Sequence, residues 1–234
     1  MKNLEKAIEI ERVLKAKGTY NVRTIAPFVK DLGFDSVQQY LDERREYFFN
    51  KWNPEVYYIN ISEFADATEE AIKNDQYGIY IPVGKGLHAY HGSDSIDYDL
   101  CKELGVKVIE LNYLGGTIIG SEKDLSILII FPKHIGINSE IVINKIKDTI
   151  SKYVPDVTVS GNDILMDGKK ISGSMIRKFD NSLVWAAQVS FANYYKYIKR
   201  ICNKPAIKKP SYIDSKLLTR DQLEADILDW FKGN

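Results

Sequence analysis

The apolar positions of this chain change rhythm near residue 55. Before it they recur at helical spacing: Leu4, Ala7, Ile8 and Leu14 share a face, a second periodic stretch covers 22–32 and stops at Gly33, and a third covers 36–49 and stops at Asn53-Pro54. Three helices are predicted there. Beyond it, short apolar runs alternate with amphipathic ones. The runs at 56–61, 77–83, 87–90, 106–111, 125–131, 157–159 and 183–190 predict strands. Those at 62–73, 96–104, 139–152 and 191–201 predict helices, with Val142, Ile146 and Ile150 on one helical face. This mixture predicts an α/β (α+β) fold, a mixed sheet flanked by helices, preceded by an N-terminal helical appendage.

Asp167-Gly168 stands between two apolar alternations and predicts a two-residue type I′ hairpin, which needs positive φ at both central positions. Ile164 and Met166 alternate before it. After it, strand alternation puts Lys170, Ser172 and Ser174 on one face and turns Lys169, Ile171 and Gly173 to the other. A lysine so placed is ordinarily a solvated face, but it can also supply a mobile positive charge between a carboxylate and a phosphate. Upstream, Gly115-Gly116 marks a bend, or a place where a thin ligand can lie against bare backbone.

Together these blocks resemble a known family. Asn162-Asp163, a short apolar strand, Asp167-Gly168-Lys169-Lys170 and Ile171-Ser172-Gly173-Ser174 resemble the signature of the lipoate-protein ligase, octanoyltransferase and biotin-protein ligase superfamily. Leu111 to Ser121, followed by the apolar run 125–131, looks like the family's glycine-rich strand, loop and strand. The resemblance covers about residues 77 to 200. It implies a class II synthetase-like core and an ATP- and Mg²⁺-dependent reaction, in which an acid becomes an acyl-adenylate and is captured by a lysine of a carrier domain. It further implies that Lys170 is catalytic, that Leu114, Gly115, Gly116, Thr117, Ser172 and Gly173 bind the substrate, that Asn162 and Asp163 bind the nucleotide, and that Asp163 ligates Mg²⁺. The implied partners are lipoic or octanoic acid, a lipoyl carrier-domain protein and an accessory subunit.

Several family letters differ. Leu111, Asn112 and Tyr113 stand where the family carries arginine, and Gly120 and Ser121 where it carries His-Asp. The stretch from Trp185 to Ser190 replaces a His-Gly-Ser/Thr, and Ser160-Gly161 replaces the Trp-Pro of biotin ligases. Asparagine cannot reproduce the bidentate fork of arginine. Neither Cys101 nor Cys202 lies in a block like the transferases' nucleophile, which favours an adenylating ligase over a cysteine acyltransferase. Two readings therefore stay open. One is a lipoate- or octanoate-type ligase, supported by Lys170 and Asp163; the other is a family member that binds an acyl ligand or a partner without turnover, supported by the missing cation and imidazole.

Composition narrows the remainder. With 32 basic and 32 acidic side chains the chain has no bulk attraction for nucleic acid or membranes, so neither is expected as a partner. Gln38, Gln39, Asp42 and Glu43 in the third helix argue against a DNA-recognition helix. No apolar run reaches the roughly 18 residues of a membrane span, and residues 1–10 lack the apolar core of a signal peptide, so a cytoplasmic location is expected. His88 and His91 fall on opposite faces of a strand, near Asp94 and Asp97, with no third His or Cys ligand close in sequence. Residues 204–210 form a linker, and the capping box Thr219-Arg220-Asp221-Gln222 opens a last helix with Leu223, Ile227 and Phe231 inward. The expected organisation is 1–54 helical accessory segment, 55–203 catalytic core, and 204–234 linker and helix. So short a tail fits single-domain members that rely on a separate partner.

Overall fold

Side-chain caps define the helices of the first unit, in a computed structural model that describes residues 3–92, 96–202 and 208–232. Helix α1 (Leu4–Ala16) starts at Asn3, whose side chain accepts from Lys6 N. In α2 (Val22–Asp31), Asn21 and Thr24 exchange hydrogen bonds as a capping box, and α3 (Val37–Lys51) starts at Ser36, which accepts from Gln39 N. Ala7, Ile25, Val29, Phe34 and Tyr40 pack together between them. Within that core sits one carboxylate, Glu11, only 3% exposed. It accepts from Tyr40 Oη, pairs with Arg44 Nε at 2.9 Å and also meets Lys15 Nζ.

The chain divides near residue 53, and the second unit runs from 54 to 232. Its main sheet has seven strands in the order β1-β2-β6-β10-β9-β8-β7. These are β1 (Glu55–Asn60), β2 (Gly78–Val83), β6 (Leu125–Pro132), β7 (Val157–Ser160), β8 (Asp163–Met166), β9 (Lys169–Lys178) and β10 (Ser182–Val189). Among the described strands of this sheet β1 and β2 are the parallel pair, joined through α4 (Phe64–Lys73). A smaller sheet in the order β4-β3-β5 is built from β3 (His88–His91), β4 (Lys107–Glu110) and β5 (Thr117–Gly120). The mixed sheet and its flanking helices are those the sequence predicts.

Residues 127–131 of β6 are all buried, which requires cover on both faces. Leu128, Ile130 and Val184 join Tyr90 of β3 in the smaller sheet, Leu111 and Leu114 from the segment after its strand β4, and Phe64 of α4 in one cluster. The alternate residues Ile129 and Phe131 point the other way. Helix α6 (Ser139–Ser151) packs on β7 to β9, and α8 (Arg220–Asp229), part of this same unit, packs on α6 and β6.

Two helices are shorter than their apolar periodicity. Helix α5 (Tyr98–Glu103) begins two residues late because Asp97 caps Leu100 N at 2.9 Å, while Ile96 forms a bridge with Cys202. Helix α7 (Tyr195–Ile201) begins four residues late because the Phe191 amide is held by Asp124 Oδ1 at 2.7 Å. The hairpin behaves as its sequence demands: Asp167 has φ 49° and Gly168 φ 71°.

Glu11→Ala should destabilise the first unit by about 3 kcal/mol, because it removes the buried carboxylate that Tyr40, Arg44 and Lys15 share. Urea unfolding followed by far-UV circular dichroism measures this. A loss below about 1 kcal/mol would show that the Glu11 cluster contributes little.

Candidate active site

The register of the main sheet assembles the site. Directly paired residues share a face, and Asp163 pairs with Gly173, Gly173 with Gln188, and Gln188 with Ser126. These four residues form a row across β8, β9, β10 and β6. At its outer end Lys170 Nζ lies 2.7 Å from Asp163 Oδ1, and a Cβ built on Gly173 would stand 2.7 Å from that ammonium. The lysine therefore lies over Gly173. Strict alternation predicts the opposite, with Lys170 beside Ser172 and Ser174. The register shift between Ile164 and Leu165 explains the difference: β9 carries an extra residue there, so Ile171 and Ser172 are buried in succession and Lys170 returns to the face of Gly173.

Asp163 carries a second lysine. Lys208 Nζ lies 2.8 Å from Asp163 Oδ2, 2.9 Å from the Ser160 carbonyl and 3.2 Å from Ser160 Oγ. Burial raises the Asp163 pKa, but the hydrogen bonds and charges of Lys170 and Lys208 outweigh it and hold the carboxyl below its ordinary range. Asn162 occupies the β7–β8 turn after Gly161, which has φ 63°; its carbonyl accepts from Ser174 N (2.8 Å) and its side chain faces Ser139 Oγ at 3.5 Å.

At the inner end of the row is an apolar slot of about 30 Å³ between the two sheets. Its walls include Tyr90, Leu111, Leu114, Ile118, Ala187 and Gln188. Leu114 thus lines the slot, whereas a Cβ added at Gly115 would meet nothing within 4 Å and the Gly116 carbonyl accepts from Gly92 N at 3.1 Å. Close backbone approach occurs instead at Gly92, where a Cβ would stand 2.3 Å from the Leu114 carbonyl oxygen. Thr117 Oγ1 meets His91 Nδ1 at 3.0 Å. Ser172 is buried on the opposite side of β9 from Lys170.

No family model matches this chain, and no curated protein matches it in sequence. Solved structures do match by shape. LipL1 of P. falciparum in complex with lipoate superposes with a TM-score of 0.63 over 76% of this chain and 60% of that one, at 14% identity. This chain thus spans about three fifths of that protein's length. A bipartite lipoate protein ligase of Thermoplasma acidophilum, studied with its E2 lipoyl domain, superposes at 0.62 over 77% and 83% of the two chains with 12% identity. A lipoate-protein ligase A bound with ATP superposes at 0.57 over 78% and 83% with 13% identity. The fold is that of the lipoate-protein ligases.

Within this ligase fold, neutral groups fill the altered motif positions. Asn112 Nδ2 donates to Glu69 Oε1 at 2.8 Å on the exposed surface. Above Gly120 lies the Gln188 side chain, whose Nε2 donates to the Ile119 carbonyl (2.9 Å) and whose Oε1 accepts from Ser126 Oγ (3.2 Å). Ser121 Oγ meets Tyr194 Oη at 2.7 Å. Gln188 is legible in hindsight as a lone amide in an apolar strand, since a buried amide must find partners. Lys208 has no such local signal.

The Asp163 carboxylate is held on both sides. Both of its oxygens are engaged by lysines, and among the described residues no three His, Cys, Asp or Glu side chains gather as a metal site. His88 lines a separate polar pocket of about 390 Å³ with Lys85, Glu122, Asp124 and Arg220, while Asp94 lies outside the described residues. Burial, and then the Asp97 carboxylate, push the Cys101 thiol up, away from the thiolate a nucleophile needs.

Burial lowers the His88 pKa from 6.5 to about 4. The unfolded chain therefore takes up a proton near pH 6.5 that the folded protein refuses until about pH 4. Stability contributed by neutral His88 is complete above that window and should decline by about 3 kcal/mol as the pH falls through it. Denaturant titrations at pH 7 and pH 4.5 should show this loss in the natural chain and a smaller one in His88→Leu; equal losses would refute the assignment.

Proposed function

We propose that this chain is an ATP-dependent acyl ligase, activating a medium-chain or dithiolane carboxylic acid and passing it to a lysine of a lipoyl carrier domain. The observation that carries this reading is the row from Asp163 through Gly173 and Gln188 to Ser126, which joins an ammonium cluster to an apolar slot on one sheet face. Such a site has the polarity for an acid whose tail is apolar and whose head is an anion, and the slot must widen beyond its about 30 Å³ to admit the tail. The tail enters between Leu111 and Leu114 and the β6–β10 floor, and the carboxylate emerges beside Lys170.

ATP supplies the α-phosphate that the acid's carboxylate oxygen attacks, with pyrophosphate leaving. The carrier's lysine amine then attacks the acyl carbonyl, and AMP leaves. Lys170 faces negative charge in both steps, and a pre-placed ammonium stabilises it without reorganisation. Ammonium groups on two sides of a single carboxylate leave one net positive charge, which suits the phosphate. Asp163 keeps that charge in place.

A second reading, binding without turnover, is favoured by the neutral Gln188 network. Acid-dependent ATP–pyrophosphate exchange with lipoate, octanoate and biotin separates the two. Exchange with one acid, reduced about a hundredfold in Lys170→Ala, is the expected result. No exchange from folded protein would leave only the binding role or transfer from a pre-acylated donor.

Gly173→Ala offers a finer test. The added methyl would stand 2.7 Å from Lys170 Nζ and 2.9 Å from Cε, so the flexible end of the lysine must move. Exchange should fall about tenfold while the melting temperature changes little. Unaltered exchange would mean that the ammonium acts from elsewhere.

A further inference from the structure

The ligase reading counts Lys208 only toward a net charge and gives it no task of its own. Lys208 is far from Lys170 in sequence, yet the chain around it lies against β9 at the bulge. Lys170 N donates to the Lys209 carbonyl (2.9 Å), Ser211 N donates to the Lys170 carbonyl (2.7 Å), and Lys170 and Pro210 form a parallel bridge. The segment 208–211 thus fixes the backbone of Lys170 on both sides.

The two ammonium groups are used differently. An ammonium has three protons, and Lys208 directs them at Asp163 Oδ2, the Ser160 carbonyl and Ser160 Oγ. Its donors are spent on the protein. For Lys170 the acceptor among the described residues is Asp163 Oδ1, which leaves protons for a ligand. A Lys170–Asp163 pair alone would be electrically neutral, and a neutral pair holds an anion weakly. Lys208 shares the carboxylate and restores a net charge of one, in a partly buried place where charges are screened less than at the surface.

Resting on the acyl-ligase reading, we infer that Lys208 is a positioning residue that neutralises Asp163, so that Lys170 meets the phosphate as an uncompensated cation. It supplies from the C-terminal segment the positive charge that the glycine loop lacks at Leu111 to Tyr113. Once Lys208 is replaced, a merely structural fastening of residues 208–211 could not be restored by removing the charge of Asp163. That difference makes the inference testable.

The experiment measures binding of octanoyl- and lipoyl-sulfamoyl-adenosine by calorimetry at low and moderate salt, with a thermal melt of each variant. Lys208→Met should weaken binding of whichever analogue the natural chain takes by about tenfold and flatten its salt dependence. Adding Asp163→Asn to Lys208→Met returns the net charge to one and should recover most of that affinity; Lys208→Arg should stay within about threefold of the natural chain. Lys208→Met binding as the natural chain does would overturn the inference. So would a loss that the double variant does not recover, whether or not the melting temperature falls, since that marks a fastening role. Failure of the natural chain to bind either analogue would overturn the ligase reading itself and this inference with it, a result visible before any variant is made.

Discussion

Because paired residues on neighbouring strands face the same way, the register through β8, β9, β10 and β6 decides what chemistry this chain can hold. It aligns Asp163, Gly173, Gln188 and Ser126, and so connects a charged cluster to an apolar slot. A slip of one residue in β9 would send Gly173 to the other face and put a side chain beneath the lysine. The extra residue at Ile171 contributes to that alignment. It lets the strand bury Ile171 and Ser172 in succession and still present Lys170 above Gly173.

Charge is managed in two ways in the two units. Glu11 is nearly sealed from water and satisfies Tyr40, Arg44 and Lys15, an arrangement whose energetic weight lies in the cost of breaking it. Asp163 and its lysines are partly solvated, with side-chain exposures of 20%, 40% and 30% for Asp163, Lys170 and Lys208. Their desolvation is milder, and their net charge can be spent on a ligand. The first cluster specifies a fold; the second is suited to binding an anion.

Neutral substitution at the glycine loop has a structural counterpart. Where the resemblance expects an arginine and an imidazole, the polar groups present need partners of their own wherever they are buried. Here Gln188 bonds Ser126 and the Ile119 carbonyl, Ser121 bonds Tyr194, and Asn112 turns outward to Glu69. The wall of the slot is accordingly apolar chain from Leu111 and Leu114 rather than bare glycine backbone.

Sequence alone determined what depends on neighbours along the chain. Helix starts follow from capping side chains at Asn21, Ser36 and Thr219, and the turn at Asp167-Gly168 follows from two positive φ angles. The identity of Lys170 as the lysine of interest came from resemblance of a contiguous motif. Tertiary structure decided what depends on pairing at a distance: the bulge that redirects Lys170, the arrival of Lys208 beside Asp163, and the close approach of Gly92 to Leu114. Local dihedral preference and hydrophobic period are written residue by residue. Strand register, and which remote segment pairs with an edge, are set only when the whole sheet buries its faces.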